Sequence, residues 1–238
     1  MPNLPKIEYL FDPVKEYERK GLVNLDPICR VKHGRHADLN WIRSQMVLDG
    51  RQKLFEFGAW PCDSWKAFVD DVDALTISDS FWWARERWHG EDGHPTIEEW
   101  TRTAEEAGIL VRELDVQDLD MVDLYDYVYS VSVLEHVHDD MKALRNIFRS
   151  LTPGGMLIMT VEMNPYVGME YDSQGCYRVY TPGYLCFLLE EAGFEVNYEQ
   201  EDYSQWEREF RAAVANPALL KQPYKHFAST GIAARKPR

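Results

Sequence analysis

Short apolar runs alternate with longer stretches of helical period along most of the chain. Strands are predicted at residues 53–58, 74–78, 109–114, 127–133, 156–161, 194–198 and 227–234. Strands that alternate with helices are typical of βαβ units around a parallel sheet. The run 156–161 is apolar throughout, which is typical of a strand covered on both faces. The pattern therefore predicts an α/β fold with a doubly wound, mostly parallel sheet of seven strands.

Capping residues mark the ends of several helices between these strands. Thr96 and Glu99 form a capping box that opens a helix, and Gly108 ends it. Thr181 precedes a proline at the start of another helix, which ends at Gly193. Further helices are predicted over residues 37–48, 64–72, 140–151 and about 204–214.

The length of 238 residues fits one large α/β domain better than two ordinary ones. The first fifty residues favour helix: Asp12-Pro13 caps one helix that Gly21 can end, and a second runs from about residue 37 to 48, before Gly50. We therefore predict a helical N-terminal extension over residues 1–50 and a single Rossmann-like domain over residues 51–238.

Composition narrows the classes of partner and the compartment. The net charge of −14 repels phosphate backbones, so no nucleic-acid partner is expected. No apolar run is long enough to span a bilayer, and the charged N-terminus lacks a signal core, so no membrane association is expected. The four cysteines form no C-x-x-C pair and match no zinc module, which favours free thiols in a reducing cytoplasm.

Acidic side chains follow or end the first three predicted strands. Glu56 lies near the end of the first, Asp79 just past the second and Asp115 just past the third. In open α/β sheets, ligands bind beyond the carboxyl ends of the strands. Acids there suit a ligand with ribose hydroxyls, an amine and an adenine amino group, so the pattern favours a nucleotide-sized ligand.

A longer motif runs from residue 110 to residue 162, LVRELDVQDLDMVDLYDYVYSVSVLEHVHDDMKALRNIFRSLTPGGMLIMTVE. It has an acid after strand three, Tyr-Asp opening strand four, then Leu-Glu-His and Leu-x-Pro-Gly-Gly. In this order the elements resemble the class I S-adenosylmethionine-dependent methyltransferases. The later RVYTPGYLCFLLEEAGFEV and IAARKP resemble the end of that fold, so the resemblance covers residues 54–237.

The resemblance implies S-adenosylmethionine as the cofactor and a set of residues that bind it. The loop after strand one would face the methionine end, the acid after strand three the adenine amino group, and strand four the underside of the cofactor. The family's ribose-binding acid aligns with Ser78. Asp79, one residue later, would either contact the ribose or cap the next helix. An arginine before strand one is the candidate for the cofactor carboxylate. The implied residues are Glu56, Gly58, Ala59, Ser78, Asp79, Asp115, Val116, Ser130 and Arg35.

The first loop departs from the family pattern of three glycines at alternating positions. Only Gly58 remains, and Trp60 and Cys62 stand at the other two positions. Glycine lets a backbone approach a ligand closely, and tryptophan does not. The loop must therefore differ in shape, or the cofactor must sit differently.

His136, just past strand four, is the candidate catalytic residue. Methyl transfer needs donor and acceptor held in line, and a base if the acceptor is a hydroxyl. His136 would be that base, or it would only order its loop. Some relatives bind a divalent ion through Glu-x-x-Glu-His, but Ser132 replaces the first acid here, so no metal is expected.

These observations predict methyl transfer to a small-molecule acceptor, specifically O-methylation of a sugar or natural-product intermediate. The alternative is a catalytically degenerate relative that acts as a binding or regulatory protein. A nicotinamide dehydrogenase is disfavoured because no G-x-G-x-x-G follows strand one. The acceptor and the oligomeric state stay open, with a homo-oligomer among the alternatives.

Overall fold

A computed structural model describes residues 7–10, 36–86, 94–163, 169–170, 178–196 and 228–238. The predicted helix at 204–214 and the candidate Arg35 lie outside these residues. Within them, no helix is both long enough and apolar enough to cross a bilayer.

Seven of the strands in the described residues form one sheet. In chain order the strands are β1 (Ile7–Leu10), β2 (Lys53–Phe57), β3 (Ala74–Asp79), β4 (Leu110–Glu113), β5 (Tyr125–Val131), β6 (Leu151–Met163), β7 (Met169–Glu170), β8 (Arg178–Val179) and β9 (Ala228–Arg235). The sheet order is β1-β9-β6-β5-β2-β3-β4, and β7 pairs separately with β8. Strands β2 to β6 are parallel, whereas β9 is antiparallel to both β6 and β1.

The helices cover both faces of this sheet. They are α1 (His36–Ser44), α2 (Trp82–Glu86), α3 (Ile97–Glu106), α4 (Asp140–Ser150) and α5 (Pro182–Ala192). One core cluster joins α4 and α5 to residues such as Leu157 and Met159 of β6. The other joins α1 and α3 to Met156 and Ile158 of the same strand. The alternate residues of β6 therefore pack on opposite faces, and the predicted Rossmann-like fold is confirmed.

The predicted helix caps are present where the chain is described. Thr96 and Glu99 form both hydrogen bonds of a capping box at the start of α3. Thr181 accepts a hydrogen bond from the amide of Tyr184 at the start of α5, and Gly193 ends that helix with a φ of 106°. The predicted helix over 64–72 is instead two 3₁₀ turns, Ser64–Ala67 and Val69–Asp71.

The outer edge of the sheet differs from the prediction. Residues 194–196 form no strand, since Glu195 makes only an isolated bridge to Arg235. The strand β1 pairs with residues 229–232 of β9, further along the same edge. The predicted helical extension is therefore confirmed only in part: α1 lies within it, whereas Ile7–Leu10 is a strand of the main sheet. The domain division at residue 50 stays a prediction.

Candidate functional site

The three predicted acids lie close together at the carboxyl ends of the parallel strands, which we refer to below as this edge of the sheet. Strands β2, β3 and β4 are parallel neighbours, so their carboxyl ends lie side by side. Asp79 is close enough to Glu56 to raise its pKa, and Asp115 acts on Asp79 in the same way. The acids that the sequence predicted to converge are therefore electrostatic neighbours.

Glu56 is enclosed within the domain. Its carboxylate accepts hydrogen bonds from the hydroxyl of Ser64 and from that of Tyr129, the latter at 2.8 Å. Burial raises the pKa of Glu56 to about 7, although both hydrogen bonds act to lower it. The carboxyl group therefore holds a proton for part of the time at neutral pH.

Asp79 connects two loops through its carboxylate. One oxygen accepts the backbone N–H of Trp60 at 3.0 Å, and the other accepts that of Phe81 at 2.6 Å. Burial raises the pKa of Asp79 to about 6, against the effect of these two amides. Asp79 thus fixes the backbone of the loop after β2 relative to the turn after β3.

Ser78 belongs to the sheet interior rather than to its edge. It is fully buried, and its hydroxyl lies 3.4 Å from the carbonyl oxygen of Glu56. Its own carbonyl accepts the N–H of Ala59 at 3.0 Å. Of the two neighbouring residues, Asp79 is therefore the one with an acidic group at the strand end.

The remaining glycine of the first loop touches the loop that follows β5. Gly58 has a φ of +67°, and a Cβ atom there would lie 2.5 Å from both Cγ atoms of Val133. Glycine is required on both counts, since other residues rarely adopt this φ. The loops that follow β2 and β5 are therefore in direct contact.

The residues that replace the other two glycines are held by packing. The Trp60 side chain is 6% exposed and belongs to the core cluster of Trp65, Phe81 and Trp100. The carbonyl of Cys62 accepts the indole N–H of Trp100 at 3.0 Å. The loop thus has a defined path without the usual glycines, because α3 and the core support it.

Asp115 caps a 3₁₀ turn, Val116–Asp118, just after β4. Its carboxylate accepts the backbone N–H of Gln117 at 2.8 Å and the side-chain amide at 3.1 Å. Val116 beside it is buried. The Gln117 side-chain oxygen accepts the N–H of Asp139 at 2.9 Å, which ties this turn to the loop after β5.

The end of β5 places His136 at the surface. Ser130 is fully buried, and its hydroxyl has no hydrogen-bond partner among the described residues. Ser132 adopts a φ of +52°, and a 3₁₀ turn, Leu134–His136, follows. The exposed imidazole is therefore on the loop that contacts Gly58 through Val133.

Several contacts at this edge were not predicted from the sequence. The hydroxyls on Glu56 come from Ser64, eight residues later, and from Tyr129, 73 residues later, and neither spacing gives a local pattern. Gln117 is two residues from Asp115, a spacing at which aspartate commonly accepts a backbone N–H. That local signal could have been used. No group of three or more metal-ligating side chains occurs in the described ranges.

Comparisons with known proteins agree with this architecture. The family model of a methyltransferase domain matches residues 80–159, which run from just after β3 into β6. None of the curated proteins matches the chain.

Solved structures share the fold at low identity. The [4+2]-cyclase SpnF is 21% identical with a TM-score of 0.61, and the match covers 86% of this chain and 83% of that one. A Burkholderia thailandensis 1,6-didemethyltoxoflavin-N1-methyltransferase is 19% identical with a TM-score of 0.57, covering 94% and 85%. An S-adenosylmethionine-dependent methyltransferase from Mesorhizobium loti is 17% identical with a TM-score of 0.54, covering 82% and 96%.

At these identities the structural likeness establishes the fold alone. The family model adds that residues 80–159 are similar to a methyltransferase domain. The matched residues include most of the motif at residues 110–162 that resembles the class I S-adenosylmethionine-dependent methyltransferases.

The raised pKa of Glu56 predicts a pH-dependent stability. Its value of about 7 lies above the ordinary value of 4.5, so the native state binds this proton more tightly than the unfolded chain. The stabilisation is complete below pH 4.5 and is lost as the pH rises through 7, up to roughly 3 kcal/mol. Glu56→Gln should therefore flatten the fall in unfolding free energy, measured by urea denaturation at pH 5, 6, 7 and 8.

Asp79 retains its own raised pKa in this variant, so part of the decrease in unfolding free energy with pH should remain. Glu105→Gln removes an exposed carboxylate from α3 and should leave the slope unchanged. If the unfolding free energy of Glu56→Gln fell with pH as steeply as that of the wild type, the Glu56 carboxyl group would not be desolvated as described.

The contact between Gly58 and Val133 predicts a coupled pair of substitutions. Gly58→Ala should lower the unfolding free energy by about 2–4 kcal/mol, from backbone strain and overlap with the valine. In Gly58→Ala/Val133→Ala the overlapping Cγ atoms are absent, so the double variant should lose less than the sum of the single changes. Denaturant unfolding of all three variants gives the coupling. Strict additivity would mean that the two loops do not touch.

Proposed function

We propose that this chain transfers the methyl group of S-adenosylmethionine to a small-molecule acceptor, at an oxygen atom of a sugar or natural-product intermediate. The observation that carries the proposal is the convergence of Glu56, Asp79 and Asp115 at the edge where the loops that follow β2 and β5 touch. This is the edge at which open α/β sheets bind ligands.

The acids at this edge fit the cofactor despite their hydrogen bonds within the protein. Each oxygen of Asp79 accepts one backbone N–H, and a carboxylate oxygen has a second acceptor site for a ribose hydroxyl. Asp115 keeps acceptor capacity for the adenine amino group, with Val116 packed beside it. When bound, the cofactor supplies a methyl group on a sulfonium cation, and acidic surroundings favour such a charge.

The remaining implied residues have supporting roles in this proposal. The backbone of Gly58 and Ala59 borders the methionine end. Ser130 lies beneath the cofactor, with a buried hydroxyl that lacks a partner in the described part of the chain. Glu56 and Ser78 hold the loop from inside, and Arg35 is the candidate for the cofactor carboxylate.

His136 is the proposed general base. Its imidazole is exposed at the same edge, so an acceptor hydroxyl can approach it from solvent. A small-molecule acceptor is supported by the Burkholderia thailandensis structure, which holds 1,6-didemethyltoxoflavin together with S-adenosylhomocysteine.

A second candidate is a catalytically degenerate relative that binds a ligand without transferring a methyl group. The replacement of two glycines by Trp60 and Cys62 favours it, since a bulky residue stands where the family's backbone meets the cofactor. The similar [4+2]-cyclase also shows that this fold is not restricted to methyl transfer.

Calorimetric titration with S-adenosylmethionine and with S-adenosylhomocysteine separates the two candidates. A dissociation constant in the micromolar range is expected for the wild-type protein, which corresponds to a binding free energy of about −8 kcal/mol. Asp115→Ala should weaken binding by about tenfold or more, because a charge-assisted hydrogen bond is lost. Asp118→Ala, an exposed acid in the same 3₁₀ turn, is the matched control and should bind as the wild type does. If the wild type binds neither compound, the methyltransferase proposal fails and the degenerate relative is favoured.

The role of His136 is tested by turnover with an acceptor found in a screen. His136→Gln should lower the rate by about 10²–10⁴-fold with S-adenosylhomocysteine affinity kept, because only proton removal is lost. His138→Gln, also exposed and two residues further on, should retain the wild-type rate. An unchanged rate in His136→Gln would remove the base and leave a loop-ordering role.

A further inference from the structure

The loop that follows β5, residues 132–139, is held by a segment some forty residues further along the chain. Arg178 donates one guanidinium hydrogen bond to the carbonyl of Val137 and another to that of His138, both at 2.7 Å. Charge-assisted bonds of this kind are stronger than neutral ones. The planar guanidinium therefore fixes two consecutive peptide groups of the loop.

Tyr180 adds a third contact from the same segment. Its hydroxyl lies 3.2 Å from the carbonyl of Leu134 and 3.2 Å from a carboxylate oxygen of Asp140. Burial raises the pKa of Tyr180 far above its ordinary value, and the nearby charges of Asp140 and Glu135 act in the same direction. The hydroxyl consequently stays protonated and donates.

Asp140 links the two donors at the start of α4. Its carboxylate oxygen lies 3.4 Å from a guanidinium nitrogen of Arg178, and both side chains are largely buried. An ion pair removed from water in this way is costly to break from one side, because the other charge is left uncompensated. Arg178, Tyr180 and Asp140 therefore form one connected group behind the loop.

The segment that carries these donors is anchored to the sheet. The N–H of Tyr180 donates to the carbonyl of Glu162 at 3.0 Å, at the end of β6. Val179 is buried, and Arg178 lies in β8, which pairs with β7. Arg178 thus reaches the loop from a fixed position.

The opposite side of the loop borders the proposed cofactor site. Val133 contacts Gly58, and the N–H of Asp139 donates to Gln117, the partner of Asp115. The loop therefore lies between the proposed cofactor-binding loops on one side and the group of Arg178 on the other.

We propose that Arg178, assisted by Tyr180, is a positioning residue that sets the loop of residues 132–139 for cofactor binding and for His136. This inference rests on the proposed function for its catalytic meaning. Arg178, in the segment after β6, would thereby influence a site that is formed by the loops after β2, β4 and β5.

The test compares Arg178→Ala and Arg178→Lys with the wild type. Lysine can still donate to the two carbonyls but lacks the planar fork, so it should restore part of the function. The matched control is Lys142→Ala. Lys142 lies on α4 and forms an exposed ion pair with Asp118, so this change also removes one positive charge. Thermal unfolding establishes that each variant is folded, and Arg178→Lys keeps the test usable if the alanine variant is not.

Two measurements are made on each protein. Hydrogen exchange reports the amides of His136 and Val137, which donate within the 3₁₀ turn of the loop. Calorimetry with S-adenosylhomocysteine reports the cofactor site. For Arg178→Ala we expect exchange at these amides at least tenfold faster and binding at least fivefold weaker, with Arg178→Lys intermediate in both and Lys142→Ala unchanged.

Unchanged exchange in Arg178→Ala overturns the proposal. Faster exchange with unchanged S-adenosylhomocysteine affinity also overturns it, because Arg178 would then be only a structural support. If the wild type itself does not bind S-adenosylhomocysteine, the proposed function fails separately, and the exchange measurement alone decides whether Arg178 positions the loop.

Discussion

The carboxylate of Asp79, with one backbone amide on each oxygen, is the interaction on which the candidate site depends. Burial of a charged carboxylate costs several kcal/mol, and charge-assisted hydrogen bonds offset part of that cost. Here the two donors are the amides of Trp60 and Phe81, so the same bonds that stabilise the acid also fix two loops. In class I methyltransferases the corresponding loop commonly carries glycines. In this chain an acid and a packed tryptophan ring take that role.

The same edge concentrates negative charge in a way that a purely structural region would avoid. Glu56 and Asp79 each have a raised pKa, first from burial and then from a neighbouring acid. Groups with strongly perturbed pKa values cluster at functional sites, because structure alone gains little from repulsion between like charges. These two perturbed acids therefore support the proposed ligand site at the carboxyl ends of the parallel strands.

Much of the fold could be predicted because its signals are local. The capping box of Thr96 and the proline after Thr181 depend only on neighbouring residues, and both helices begin where these signals indicate. Of the strand predicted at 194–198, the described residues 194–196 contribute only the bridge between Glu195 and Arg235, and β1 supplies the longer pairing along β9. The four residues of β1 pair with 229–232 there, and a run that short gives no periodic signal.

The candidate site could be predicted at the level of position and not of contact. Glu56, Asp79 and Asp115 lie at the strand ends where the sequence placed them, and their role in a ligand site stays a prediction. The hydrogen-bond partners of these acids could be identified only from the tertiary structure. Tyr129 and Trp60 are far along the chain from the acids that they contact. Arg178 was missed for the same reason, because its spacing from Val137 and His138 carries no local signal.

The most direct test of this account is a crystal structure of the protein grown with saturating S-adenosylhomocysteine. The account predicts ligand density across the carboxyl ends of β2 to β5, with the ribose beside Asp79 and the adenine beside Asp115. The Trp60 amide should still donate to Asp79. A fully occupied ligand elsewhere on the molecule, or an empty edge at saturating ligand, would contradict the claim that this altered loop forms a cofactor site.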